Sequence, residues 1–119
     1  MKVAVTQRQY ATVVALSGAL DAHTAGRLRS LLAKQLLAGP GNLVIDLSGL
    51  SFIDSAGLAV LIAADKGMRR AGTRLVLAAP QAPVDKVLRL TGLTAVLTIA
   101  PTVEEALGLL VPDAQGSAG

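Results

Sequence analysis

The chain contains no cysteine, one histidine and only two aromatic residues among its 119 residues. The absence of cysteine excludes disulfides, thiolate metal ligands and cysteine nucleophiles. A lone His23 leaves a histidine-based metal site or catalytic triad little to build on. Because Tyr10 and Phe52 are the only aromatic side chains, the core must be packed from Ala, Val, Leu and Ile. We therefore expect a protein that uses neither a metal ion nor a cofactor.

Long apolar segments are also missing. The longest strongly apolar run, residues 58–64, is far shorter than the roughly 20 residues that a membrane-spanning helix needs. The first 16 residues include polar side chains every few positions, which is unlike the apolar region of a signal peptide. We therefore expect a cytoplasmic protein that does not act at a membrane.

The charge balance is basic but dispersed. A net charge of +3 and an isoelectric point near 9.8 would suit nucleic acid. However, the basic residues are scattered from Lys2 to Arg89, and two aromatic residues cannot form a surface on which bases stack. The sequence therefore predicts no direct binding of nucleic acid.

The pattern of apolar residues predicts an ordered series of strands and helices. Residues 2–7 and 10–17 predict two strands joined by a short polar turn, typical of an antiparallel pair. Helical spacing predicts an amphipathic helix within residues 21–39, capped by Asp21 or Thr24 and ended at Gly39. The pattern then predicts strands at residues 42–47, 73–79 and 95–100, and helices at residues 55–72, 83–93 and 102–110.

This alternation predicts an α/β fold. We expect a single domain at residues 1–112, built from a mixed, mostly parallel sheet of about five strands with about four helices. The small, polar residues 113–119 are expected to form a disordered tail. Functional groups in such sheets gather beyond the carboxyl ends of the strands. Residues 48–54, predicted as a loop, lie at that position.

The stretch FIDSAGL, residues 52–58, places a carboxylate and a hydroxyl at the start of a predicted helix. The simpler interpretation is capping, because Asp and Ser side chains accept hydrogen bonds from the free amides of a first helical turn. The second interpretation adds a phosphate to Ser55. It would bring about −1.5 to −2 charges to an exposed patch formed by Ala56, Gly57 and Leu58. The two interpretations are compatible, and both remain open.

Three stretches resemble one family. VIDLSGLSFIDSAGLAVLI, residues 44–62, resembles the signature of the STAS domain, the fold of sulfate transporters and anti-sigma factor antagonists. LSGALDAHTAGRLRSLL and VLRLTGLTAVLTIAPTVEEAL resemble the opening and closing segments of that family. The resemblance covers residues 3–111. At this length, the chain is similar to bacterial anti-sigma factor antagonists rather than to the STAS portion of a transporter.

The resemblance implies a phosphorylation site and a partner. Ser55 matches the serine that is phosphorylated in the family. The positions that would contact the partner are Asp21, Asp54, Ser55, Ala56, Gly57 and Leu58. Unmodified, the chain would bind an anti-sigma factor with serine kinase activity and free the sigma factor. Phosphorylation on Ser55 would end that complex, and a serine phosphatase would restore it.

Two other functions are considered. Ser55, His23 and either Asp54 or Asp21 could form a catalytic triad, but DSAG is not the G-x-S-x-G motif of a nucleophile elbow. No nucleotide-binding glycine motif occurs either, so we do not expect an enzyme. The other alternative is a subunit of a stress-signalling or lipid-transport assembly that uses the same fold without switching. The sequence does not separate this alternative from a phosphorylated antagonist.

Overall fold

Strands and helices alternate after an initial pair of strands. The computed structural model describes residues 1–38 and 41–112, so the predictions for Gly39 and for residues 113–119 lie outside the described residues. The strands are β1 (Lys2–Gln7), β2 (Ala11–Leu20), β3 (Asn42–Ile53), β4 (Leu75–Ala78) and β5 (Ile99–Ala100). The α-helices are α1 (Ala25–Ala38), α2 (Ser55–Arg70), α3 (Ala82–Leu90) and α4 (Val103–Leu110).

The five strands form one sheet in the order β1-β2-β3-β4-β5. β1 pairs with β2 in the antiparallel direction, and each later pair is parallel. The prediction of a mixed, mostly parallel sheet is therefore confirmed. Because β2 to β5 are parallel, their carboxyl ends lie along one edge of the sheet, and the segments that follow them meet there.

The core lies on both faces of this sheet. Residues of α1, α2 and α3 share one buried cluster with alternate residues of the central strands, whereas α4 packs on the opposite face. All four residues of β4 are buried, as expected of a parallel strand covered on both sides. In the part of the chain that the structure describes, no helix has the length and apolar character needed to cross a membrane.

The predicted loop at residues 48–54 is wrong, because β3 continues to Ile53. β2 is also longer than predicted. It pairs with the upper half of β3, residues 48–53, and the register between the two strands shifts at two places. At the first irregularity, a Cβ atom on Gly49 would lie 2.8 Å from the Cβ of Ser17. Glycine therefore permits the close approach of the two strands, and only Asp54 remains between β3 and α2.

The predicted strand at residues 95–100 is mostly wrong. Only Ile99 and Ala100 pair with β4, and Leu93–Ala95 form a short 3₁₀ helix. The amides of Val96 and Leu97 both donate to the carbonyl of Leu93, at 3.0 and 2.8 Å. This turn carries Leu97 into the core, whereas Ala95 and Val96 stay exposed, so Leu97 is buried by a helical turn rather than by strand pairing.

Candidate partner-binding site around Ser55

Two connections meet at the carboxyl edge of the sheet. The turn at residues 21–24 follows β2, and α2 begins one residue after β3. Because β2 and β3 are neighbours, these connections lie side by side. The amide of Asp54 donates to the carbonyl of Leu20 at 3.2 Å, which joins the start of α2 to the end of β2.

Asp54 is the N-cap of α2. Its backbone is extended, with φ −116° and ψ −173°, and its Oδ1 atom accepts from the amides of Ala56 at 2.9 Å and Gly57 at 3.1 Å. Such a cap stabilises a helix by about 1 kcal/mol. The capping interpretation is therefore confirmed for Asp54. Ser55 is the first residue of the helix rather than its cap.

The second oxygen of the same carboxylate bonds to the neighbouring connection. Asp54 Oδ2 accepts from the amide of Ala22 at 3.2 Å. One carboxylate thus connects the first turn of α2 with the turn that precedes α1. Both oxygens bond within the chain, so a direct contact between Asp54 and a partner stays a prediction.

Ser55 is exposed. None of the hydrogen bonds within residues 1–38 and 41–112 involves its hydroxyl. Ser55 is therefore reachable from solvent, and a change of its hydroxyl would break no hydrogen bond among the described residues. Ala56 beside it is half-buried. Phosphorylation of Ser55 stays a prediction.

Asp21 closes the turn that leads into α1. Its Oδ1 atom accepts from the amides of His23 at 2.9 Å and Thr24 at 3.2 Å, and from the Thr24 hydroxyl at 3.3 Å. Loss of water contact raises the pKa of this carboxyl, but these hydrogen bonds and the nearby His23 outweigh it and hold the pKa below 3.8. The predicted capping role of Asp21 is supported by these bonds, which lie in the turn just before α1. The contact of Asp21 with a partner stays a prediction.

Gly57 and Leu58 are buried, so the prediction that they form part of an exposed patch is wrong. A Cβ atom on Gly57 would lie 2.7 Å from the carbonyl oxygen of Leu20 and 2.8 Å from its Cγ atom. The expected close approach at Gly57 is therefore real, but it occurs inside the fold. Leu58 belongs to the main hydrophobic cluster.

Among the residues that the structure describes, no catalytic triad forms around Ser55. His23 is exposed, and in the described ranges no hydrogen bond connects its imidazole with Ser55 or with an aspartate; its amide alone donates to Asp21. Over the same ranges, no group of three or more His, Cys, Asp or Glu side chains could hold a metal ion. The triad considered from the sequence is therefore not formed in this structure.

Sequence analysis missed two contributors to this site. Ala22 supplies the amide that bonds to Asp54, and Leu20 supplies the carbonyl that faces Gly57. No local signal marks these backbone roles, because they depend on contacts between distant segments.

Comparisons with known proteins identify the family of this chain. The model of the STAS domain matches residues 2–106. The chain belongs to the STAS domain family. It is 31% identical over 84 residues to the anti-sigma-B factor antagonist of Listeria monocytogenes, covering 71% of this chain and 74% of that protein.

Two solved structures of anti-sigma factor antagonists superpose closely on this chain. An anti-sigma factor antagonist from Mycobacterium paratuberculosis shows a TM-score of 0.84 at 28% identity, covering 93% of this chain and 94% of that one. The unphosphorylated form of the anti-sigma factor antagonist SpoIIAA shows a TM-score of 0.76 at 25% identity, with coverage of 89% and 93%. The STAS resemblance found in the sequence is therefore confirmed.

Proposed function

We propose that this STAS chain is an anti-sigma factor antagonist that Ser55 phosphorylation switches off. The observation that carries the proposal is the arrangement at the start of α2, where Ser55 is exposed while Asp54 provides the cap. The names of the relatives, which include antagonists of anti-sigma-B and anti-sigma-F factors, support the class of partner. In this proposal, the unmodified chain binds an anti-sigma factor and frees its sigma factor.

The proposed contact surface comprises five exposed or half-buried residues of the two adjoining connections. These are Asp21, Ala22, His23, Ser55 and Ala56, and we call them the Ser55 surface. It is small and carries one carboxylate, Asp21, whose pKa is lowered, and the half-buried carboxylate of Asp54 lies beside it. A partner would therefore meet two small side chains, the imidazole of His23, the Ser55 hydroxyl and negative charge.

A phosphate on Ser55 would change this surface without requiring a change of fold. It would carry about −1.5 to −2 charges. Asp54 already occupies the amides of Ala56 and Gly57, so the phosphate would compete with a carboxylate for them or project into solvent. A bound partner would then have to desolvate an unpaired dianion, at a cost of several kcal/mol. About 4 kcal/mol weakens binding a thousandfold.

In this mechanism, the chain is a substrate and a binding protein rather than an enzyme. The anti-sigma factor would act as the serine kinase, and a separate serine phosphatase would remove the phosphate. Since sigma factors act on transcription, a cytoplasmic location remains part of the proposal. A constitutive subunit of a larger assembly would need the Ser55 surface but no phosphorylation of Ser55. A phosphorylation experiment therefore distinguishes such a subunit from a switched antagonist.

The test is phosphorylation by purified anti-sigma factor kinases of the source genome with ATP, followed by mass spectrometry and calorimetry. We expect phosphate on Ser55 of the wild-type chain and of Ser48→Ala, a control that removes another exposed serine hydroxyl. Ser55→Ala should bind with wild-type affinity and remain unmodified. Phosphate on the Ser55→Ala variant would move the site. Binding without any phosphorylation would favour the non-switching subunit.

A further inference from the structure

We propose that Asp54 is a positioning residue. It holds the turn at residues 21–24 and Ser55 in one fixed arrangement on the Ser55 surface. This inference rests on the proposed function for its consequence in binding, but its structural part concerns the free chain. The observation behind it is that the two carboxylate oxygens of Asp54 accept hydrogen bonds from different connections. Oδ1 serves the first turn of α2, and Oδ2 serves Ala22 in the neighbouring connection.

The two halves of the Ser55 surface belong to connections that are distant in the sequence. The turn at residues 21–24 is stabilised internally by Asp21 and Thr24, and α2 is stabilised by its own cap. Neither set of bonds fixes one connection relative to the other. Besides the backbone bond from Asp54 to Leu20, the hydrogen bond of the described structure that does so is the one from Ala22 to Asp54 Oδ2.

The bond is well suited to positioning because its acceptor is charged and its donor is a backbone amide. Hydrogen bonds to charged groups are stronger than neutral ones. Asp54 cannot shift freely, because its other oxygen is held by Ala56 and Gly57 and its amide by Leu20. The position of Ala22, and with it that of Asp21, is therefore set by the same residue that sets the position of Ser55.

Replacing Asp54 with asparagine separates the two roles. Asparagine is as good an N-cap as aspartate, so its single carbonyl oxygen can still accept from Ala56 and Gly57. The NH₂ group would then face the amide of Ala22, and two donors cannot bond to each other. Asp54→Asn should therefore keep the helix start and lose the connection to Ala22, whereas Asp54→Ala should lose both.

The first measurement is amide hydrogen exchange of the full chain, followed by NMR. In Asp54→Asn we expect the Ala22 amide to exchange on the order of tenfold faster, with Ala56 and Gly57 little changed. Asp46→Asn is the matched control. Asp46 is a half-buried aspartate of β3 that accepts from the amide of Ser48, and its loss should leave Ala22 unchanged. Unchanged exchange at Ala22 in Asp54→Asn would overturn the proposal.

The second measurement is affinity for the anti-sigma factor kinase that phosphorylates the wild-type chain, together with kcat and KM for phosphorylation. Asp54→Asn should weaken binding and raise KM by roughly tenfold while leaving kcat nearly unchanged, because the hydroxyl is intact and only its surroundings are displaced. At the start of α4, the Thr102 hydroxyl accepts from the amide of Glu105. Thr102→Val removes this cap and is the control for a general loss of stability. It should change neither binding nor KM.

The outcomes separate this inference from the proposed function. Faster exchange at Ala22 with unchanged affinity and KM would overturn the positioning role, while the proposed function would stand on the phosphorylation of Ser55. Failure of the wild-type chain to bind or be phosphorylated by any of the kinases would overturn the proposed function. The positioning role in binding would then fall with it.

Discussion

Gly57 packs directly against the carbonyl of Leu20, where even a single added methyl carbon would lie 2.7 Å from the oxygen. This contact joins the first turn of α2 to the end of β2. Backbone atoms cannot move aside as the end of a flexible side chain can, so the helix start would have to shift. Gly57 therefore determines how closely the two connections of the Ser55 surface approach each other.

Substitution of Gly57 should affect folding before binding. We expect Gly57→Val to lower the free energy of unfolding by about 1–3 kcal/mol or more, because overpacking forces backbone shifts. Gly67→Ala in the same helix is the control, since a Cβ atom there meets nothing within 4 Å and alanine favours a helix by roughly 0.5–1 kcal/mol. Urea denaturation measures both. An unchanged midpoint for Gly57→Val would contradict the contact.

Introducing a negative charge at Ser55 should leave the fold intact. Ser55 is exposed and makes no hydrogen bond through its side chain in the described structure, so Ser55→Glu should change stability by less than about 0.5 kcal/mol. It should nevertheless bind the anti-sigma factor at least roughly tenfold more weakly. Ser55→Gln has the same size without the charge and should bind better than Ser55→Glu. Equal affinities by calorimetry would show that charge is not the switch.

The titration of Asp21 is a direct test of its hydrogen bonds. Loss of water contact raises the pKa of Asp21, but the amides of His23 and Thr24, the Thr24 hydroxyl and the proximity of His23 together lower it below 3.8. Folding therefore favours the ionised form. Its stabilising contribution is present above about pH 3.8 and is lost as the pH falls through the lower, folded-state pKa.

NMR titration of the Asp21 carboxyl should accordingly give a pKa below 3.8, and Thr24→Val should raise it by removing one donor. Ser30→Ala, which removes an exposed hydroxyl on α1, should leave it unchanged. Asp21→Asn should flatten the pH dependence of stability below about pH 4. A pKa at or above 3.8 in the wild-type chain would contradict the geometry of this turn.

Asp65 is a buried carboxylate of α2, and Arg69 Nε contacts its Oδ2 at 2.9 Å. Removing the guanidinium should leave a buried charge without its ionic partner, and we expect Arg69→Ala to cost about 1–3 kcal/mol. Arg70→Ala, at an exposed position in the same turn, should cost less than about 0.5 kcal/mol. A double-mutant cycle with Asp65→Leu should show positive coupling. Additive changes in the free energy of unfolding would show that the ion pair does not stabilise the fold.

The sequence predicts the elements whose signal is local. Helical spacing of apolar residues predicts α2 from Ser55 because one face of this helix is buried along its whole length. The alternation of strands and helices predicts the parallel sheet, because a helix that connects two neighbouring strands leaves them parallel. The cap is also local, since Asp54 lies immediately before the helix that it caps.

The rest depends on contacts between distant segments. The upper half of β3 contains two serines and a glycine, a composition typical of a loop, and only its pairing with the extended β2 makes it a strand. Gly57 suits a close approach, but the sequence does not show that the approaching group is Leu20 within the same chain. The contact of Asp54 with Ala22 is invisible for the same reason, because an amide donor carries no side-chain signature.

The separation of Asp54 and Ser55 into cap and first helical residue has a consequence for how such a protein can change. Had one residue supplied both the cap and the modifiable group, any variant that escaped modification would also have weakened the helix. If Ser55 is modified as we propose, a single exchange of Ser55 for alanine would yield a permanently unmodified form with its architecture preserved. Regulation would then be lost or regained by point substitution, independently of stability.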